Sequence, residues 1–207
     1  ELGKANIIYP HACIGLRSQD LKWTGGTTWT RVGSHNTIRE HVTIHSATSD
    51  GDATVVGSHN NFLAYTHVAH DCQLGDHIIM SNVATLAGHV EVADRAIIGG
   101  LAAVHQFCRI GTMSIIGGCS KVVQDVPPFM MADGNPTATR ALNREGLKRN
   151  NVSEESQQAL KQAHRVLFRE NLTFTKGVEK ARGEVALTDE VLHLLEFVES
   201  SERGIAR

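Results

Sequence analysis

Four of the twelve histidines in this 207-residue chain, His67, His70, His89 and His105, recur at spacings that could bring their imidazoles together, with Asp71 beside the second of them. Such a cluster admits three chemistries. A histidine with a pKa near 6.5 can take the proton from a hydroxyl nucleophile at neutral pH. Three neutral imidazoles can hold zinc and leave a position open for water. Histidines can also do no more than hydrogen-bond between neighbouring strands. Spacing alone leaves all three open, and the choice depends on the element that carries the residues.

That element is a repeat of six. From Leu2 to Val122, eighteen of the twenty-one residues at every sixth position are apolar, and the last twelve, Val56 to Val122, are unbroken. In a chain that is 41% hydrophobic, chance would produce that run at a given phase roughly twice in 100,000 trials. Glycine often follows the apolar position, as at Gly3, Gly15, Gly33, Gly57, Gly75, Gly99, Gly111 and Gly117. This suggests a corner that needs glycine's wider backbone range. Three two-residue strands separated by corners make a triangular coil of 18 residues, and coils stacked at about 4.8 Å make a parallel β-helix. The aliphatic column points inward, and small residues four places on (Cys72, Ala84, Ala96, Ala102, Cys108, Ser114, Ser120) fit a narrow prism. The exceptions Asp20, Gly26 and Asp50 lie in polar stretches, 17–31 and 46–54, expected to be loops thrown out of the coil. Because Glu1 falls inside the repeat phase, earlier coils are expected before it.

Positions 18 apart then stand above one another. His70 lies under Gly88 and Gln106, Asp71 under His89, and His105 one residue before that column, so the four histidines can line one corner groove. A second column, Trp23, His41, His59, His77 and Arg95, reads as a stacked ladder on an outward face.

Net charge and hydropathy narrow the class. Twenty Lys and Arg against twenty-two Asp and Glu give a charge of -2, which disfavours nucleic-acid binding, and no apolar run approaches the roughly 20 residues of a membrane span. A soluble, cytoplasmic protein is expected, with the four cysteines reduced: Cys72 and Cys108, two coils apart, would be about 10 Å from each other, too far for a disulfide. The repeat, residues 1–128, is expected to stop at Pro127-Pro128, which lack ladder donors. Residues 129–152 read as an irregular basic connection and 153–207 as a small helical domain with N-caps at Ser153 and at Thr188-Asp189.

Several longer motifs are more specific than the repeat. They are His67-Val68-Ala69-His70-Asp71-Cys72, Asn82 through His89, Ile97-Ile98-Gly99-Gly100, Ala103-Val104-His105-Gln106-Phe107, Gly117-Gly118-Cys119-Ser120, Gln124 through Pro128, and Asn143-Arg144-Glu145-Gly146-Leu147-Lys148-Arg149. Together they resemble the UDP-N-acetylglucosamine 3-O-acyltransferase family, which begins lipid A synthesis. The resemblance runs the length of the chain.

The resemblance implies a left-handed β-helix assembled as a homotrimer, with sites in clefts between subunits. It implies that His70 is the general base that deprotonates the sugar 3-hydroxyl for attack on an acyl thioester of acyl carrier protein. Asp71 is its dyad partner and the Gly88 N–H the oxyanion donor. Side chains of adjacent strand residues point to opposite faces, so the His70–Asp71 pairing requires a corner there. By the same resemblance His67, His89 and Asp20 contact the glucosamine of UDP-N-acetylglucosamine. His105, Gln106, Asn143, Glu145 and Arg149 hold the uridine diphosphate. Gln19 and Lys22 approach the donor, and Gly118 sets a long acyl channel. No metal or other cofactor is implied. One departure is Asn150, where the family often has a second arginine. A related N-acyltransferase is disfavoured by the 67–72 and 146–149 motifs.

Overall fold

The computed structural model describes residues 1–207. Short strands pair in parallel into three sheets that form the faces of a left-handed β-helix. One face runs through Thr37–Ile38, Asn61–Phe62, Ile79–Met80, Ile97–Ile98 and Ile115–Ile116. The second runs through Thr43–His45, His67–Val68, Thr85–Leu86, Ala103–Val104 and Lys121–Val122, and the third through Ala53–Val56, Gln73–Leu74, Glu91–Val92 and Arg109–Ile110. The inward column is buried from Val32 to Val122 apart from the looped-out Asp50, and the small-residue column Cys72, Ala84, Ala96, Ala102, Cys108, Ser114 and Ser120 is buried with it. At the N-terminal end Leu2 and Ile8 are exposed.

The corners differ from the glycine expectation. The left-handed residue at each corner is not a glycine: His35, His41, His59, Tyr65, Asp71, His77, Val83, His89, Arg95, Leu101, Phe107, Met113 and Cys119 all have φ between 54° and 65°. Apart from Gly15, which is left-handed at φ 85°, the glycines after the apolar column serve close approach instead. A Cβ at Gly99 would come within 2.6 Å of the Ile116 carbonyl oxygen in the next coil. Each turn therefore stores a left-handed residue, repaid by ladder bonds and burial above and below.

Two excursions change the register. Val55 faces Gln73, eighteen residues on, but Thr37 faces Asn61 and Ile7 faces Thr37 across the inserted loops. The expected single ladder is consequently two: His35, His59 and His77 stack at 4.9 and 5.0 Å, while His41 stacks with His11 and Tyr65 at 4.9 and 4.6 Å. Trp23 belongs to neither and lies in the first excursion, under Arg17.

The prolines do not end the coil. Met131 and Ala132 still pair in parallel with Ile115 and Ile116. Amides of each coil donate to carbonyls of the next, as Gly75 does to Val92 and Gly111 to Val126. Pro127 and Pro128 sit in the final coil, where a missing donor breaks no such bond. The expected irregular connection is also ordered: Met130–Gly134 and Thr137–Leu142 form an antiparallel hairpin, followed by helix α1, Arg144–Arg149. Helices α2 (Glu154–Arg169), α3 (Phe174–Glu184) and α4 (Asp189–Glu199) begin at caps Ser153, Thr173 and Thr188, each side chain accepting an amide of the first turn. They bury Leu147, Leu160, Leu167, Leu194 and Leu195 in a second core. The final residues return to the coil end, where Asp125 N–H donates to Gly204 and Ala206 N–H to Asp125, covering a strand edge.

Candidate active site

His70 and Asp71 occupy the corner between the second and third faces. With Asp71 at φ 61°, the chain turns between the two residues, and adjacent side chains that would diverge on a strand come together: His70 Nδ1 lies 2.7 Å from Asp71 Oδ2. Both side chains are largely buried, 14% and 11% exposed. Asp71 also accepts the Thr48 amide at 3.0 Å and the Thr48 hydroxyl at 2.7 Å. Burial alone would raise the Asp71 pKa, but the donors from His70 and Thr48 outweigh it and hold the carboxyl below its ordinary value. An ionised Asp71 accepting from Nδ1–H leaves Nε2 of His70 as the free lone pair, the arrangement of a general base.

Gly88 stands one coil above. A Cβ there would come within 2.6 Å of His70 Nε2, so only glycine leaves room for the imidazole. The flanking amides of Ala87 and His89 donate to the Val104 and His70 carbonyls, whereas the Gly88 N–H has no protein acceptor. His70 Nε2 and the Gly88 backbone therefore stand next to each other at this corner. His89 lines it too, its ring edge-on to His70 at 5.3 Å, its Nε2 3.6 Å from Asp71 Oδ2 and its other face stacked on Phe107 at 4.7 Å.

His67 lies on the adjacent strand, hydrogen-bonded to Thr43 Oγ1 at 2.7 Å. Burial, and then the neighbouring His45 and His70, push its pKa down to about 4, so it is neutral at physiological pH. Asp20 reaches the site from the first excursion, and one ligand atom each from Asp20, His70 and His89 lie within 4.8 Å of one another. An atom at their centre sits within about 2.8 Å of each, hydrogen-bond range for an alcohol oxygen. A zinc ion, with bonds of about 2.0–2.1 Å, would need the three drawn in toward it wherever they stand at that outer limit.

The remaining expected residues are dispersed. His105 and Gln106 are exposed on the same edge further along, His105 Nδ1 being 3.2 Å from an Arg203 guanidinium nitrogen. Gln19 is exposed on the excursion beside a cleft of about 940 Å³ lined also by Leu16, Leu21, Trp23 and His45, and the Lys22 amide donates to Asp20 at 2.9 Å. Gly118 is at a different corner, next to Cys119, where an added Cβ would meet only the Gly100 carbonyl at 3.2 Å. Asn143 bonds to Met113 at the third corner, and Glu145 and Arg149 lie on helix α1, which Asn143 caps. The Asn143 side chain is buried and occupied, capping α1 through Gly146 N–H and donating to the Met113 carbonyl at 2.7 Å. Within one chain, these three do not join the His70 cluster.

Sequence reasoning missed Thr48, Ser18 and His45. His45 is 95% buried, edge-on to His67 at 4.9 Å, with no partner for Nδ1. Its place follows from the Thr43–His67 register, which is legible only once the six-residue excursion is counted.

Fold and site together define a hexapeptide-repeat β-helix protein with a hydrogen-bonded histidine–aspartate pair at one corner. Residues 125–206 match the family model described as UDP-N-acetylglucosamine O-acyltransferase, domain 2. Proteins named acyl-acyl-carrier-protein–UDP-N-acetylglucosamine O-acyltransferase are 49% identical in Thermodesulfovibrio yellowstonii (100% of this chain, 81% of that protein) and 45% identical in Thiobacillus denitrificans (98% and 79%). Among solved structures, the UDP-N-acetylglucosamine acyltransferase of Bacteroides fragilis superposes with a TM-score of 0.95 at 36% identity, covering 100% of this chain and 81% of that one. That of Acinetobacter baumannii gives 0.93 at 41%, covering 98% and 79%. The chain belongs to the UDP-N-acetylglucosamine O-acyltransferase family.

Proposed function

We propose that this chain transfers the acyl group of an acyl-acyl-carrier-protein thioester, in its 3-hydroxyacyl form, to the 3-hydroxyl of UDP-N-acetylglucosamine, the opening step of lipid A synthesis. The observation that carries the reading is the Asp71-held His70, its Nε2 free, beneath the unpaired Gly88 amide. His70 Nε2 takes the hydroxyl proton as the oxygen attacks the thioester carbonyl. The Gly88 N–H meets the oxyanion of the tetrahedral intermediate, and a preorganised donor of this kind contributes about 3 kcal/mol. Collapse breaks the carbon–sulfur bond, and the departing thiolate takes the proton from His70. Nothing in these steps requires a metal or other cofactor. The Asp20, His70 and His89 triangle suits the acceptor oxygen, and His67, neutral throughout, can donate or accept toward the sugar without adding charge.

The active form is a homotrimer in this reading. Tyr65, Val83 and Leu101 form an exposed apolar ridge at one corner, and Ile79 and Met131 lie exposed on an adjoining face. A neighbouring copy would cover them and bring its own Asn143, Glu145, Arg149 or Gly118 toward the His70 corner. Glu145 and Arg149 are the exposed polar groups available to a nucleotide, and Gln19 and Lys22 those available to the donor. No helix is long and apolar enough to cross a membrane. All four cysteines are free, and burial pushes Cys72 up to about 12 and Cys108 to about 11, which fits inert thiols in a cytoplasmic setting.

The test is transfer of a radiolabelled 3-hydroxyacyl group from acyl carrier protein to UDP-N-acetylglucosamine by the parent and by His70→Ala, with and without chelator. Product that needs His70 and ignores the chelator supports the reading. A folded, inactive parent, or a fully active His70→Ala, refutes it.

A further inference from the structure

The second excursion loop has no part in the mechanism above, yet it reaches the dyad through Thr48. Thr48 donates twice to Asp71, through its amide to Oδ1 at 3.0 Å and through its hydroxyl to Oδ2 at 2.7 Å, and its Oγ1 lies 3.2 Å from His70 Nδ1. The single hydroxyl proton is committed to Asp71, so Ser18 Oγ, 2.8 Å away, must be the donor to Thr48. Ser18 Oγ in turn accepts the Asp20 amide at 3.1 Å. The donors form one directed chain, from the Asp20 backbone through Ser18 and Thr48 to Asp71. Ser18 is only 4% exposed and Thr48 is half-buried.

We infer that Thr48 is a positioning residue of the acyl transfer: it fixes the Asp71 carboxylate that orients His70, and through Ser18 it ties the loop bearing Asp20 to the same dyad. This rests on His70 being the base. The physical reason lies in the rotational freedom of a carboxylate and an imidazole. Asp71 meets His70 through Oδ2 alone, and that oxygen also receives the Thr48 hydroxyl, while Thr48 N–H pins the other. Without the hydroxyl, the carboxylate keeps one anchor and can turn about its last bond. The imidazole then samples the flipped ring and the tautomer protonated at Nε2, neither of which can accept a proton from substrate. Thr48 touches no substrate in this arrangement, so its removal should act on turnover and leave binding in place.

The experiment compares Thr48→Val, which keeps the shape and deletes the hydroxyl, with Thr48→Ser, which restores it, in the full-length trimer. Turnover and KM are measured for acyl carrier protein thioester and UDP-N-acetylglucosamine. Removing the hydrogen-bond partner that orients a metal-ligating side chain costs about 10- to 100-fold, and a loss of the same order is expected for the partner of this dyad. Thr48→Val should therefore lose at least about tenfold in kcat with both KM values within about threefold of the parent, and Thr48→Ser should recover to within about threefold. The inference is overturned if Thr48→Val keeps its kcat, if its defect is in KM alone, or if Thr48→Ser is as impaired as Thr48→Val. Should Thr48→Val fail to form a folded trimer by circular dichroism and sizing, Thr48→Ala takes its place under the same criteria. An inactive parent or an active His70→Ala in the same assay strikes instead at the general-base reading.

Discussion

With His70 as the proposed base, replacing Gly88 by alanine should disable the enzyme by moving that histidine rather than by removing a catalytic atom. The added Cβ would come within 2.6 Å of His70 Nε2, against the 3.4–4 Å of an ordinary contact, so the imidazole has to retreat by about 1 Å. It cannot do so freely, because Asp71 holds Nδ1 at 2.7 Å and Thr48 lies 3.2 Å from the same nitrogen. A misplacement of about 1 Å in a reacting group costs on the order of 100-fold, or about 2.7 kcal/mol in the barrier. The Gly88 N–H itself survives in alanine, so the loss measures the base and not the oxyanion donor. Gly88 has no left-handed φ, which leaves crowding as the only source of instability, about 1–3 kcal/mol. The assay is acyl transfer at saturating UDP-N-acetylglucosamine and acyl carrier protein thioester, run beside thermal unfolding of the same preparations. A folded Gly88→Ala turning over within threefold of the parent would refute the argument that glycine is there to make room for His70.

Other expectations test separate parts of the structure. Asn143→Ala should lower the melting temperature by about 2–4 °C through loss of the α1 cap, with nucleotide present or absent, as read by calorimetry; an unchanged melting point would contradict the capping role. Gly118→Met should shift preference toward shorter acyl chains in a competition among acyl carrier protein thioesters, since only the Gly100 carbonyl stands near the new side chain; unchanged preference ends that idea. His67 makes stability depend on pH. Its folded pKa of about 4 lies below the unfolded 6.5, so its contribution is full above pH 6.5 and is lost as pH falls from 6.5 through 4. The full shift corresponds to about 3 kcal/mol, which partial exposure trims to about 1–2 kcal/mol. Urea midpoints of the parent should fall across that window, and those of His67→Gln should fall less.

The six-residue column was legible because each of its members is a core contact, so composition and position carry the same information at every repeat. The 18-residue arithmetic holds wherever no loop intervenes, and it correctly sets Gly88 over His70 and His89 over Asp71. It fails across the 46–54 loop, where His41 and His59 separate into different stacks, because an insertion changes register without disturbing the hexad phase. The glycines misled for a different reason. They mark where a Cβ would strike the next coil, whereas the left-handed turn is taken by histidine, aspartate and even valine, whose strain is repaid by the ladder around them.

The site itself was readable only in its corner. The bond between His70 and Asp71 follows from adjacency plus a turn, and the repeat supplies the turn. Thr48 and Ser18 had no such signal: they sit in loops outside the period, and the bond from Thr48 to Asp71 spans 23 residues that no repeat counts. Asn143, Glu145 and Arg149 show the opposite case, in which a motif is plain but one chain keeps it at another corner, beside Met113. If a neighbouring copy closes the cleft, diluting the protein below its assembly threshold should abolish activity while leaving His70, Asp71 and Gly88 intact in each chain. A fully active monomer, isolated by sizing at the assay concentration, would mean that the His70 corner is sufficient and that the distant residues serve only the fold.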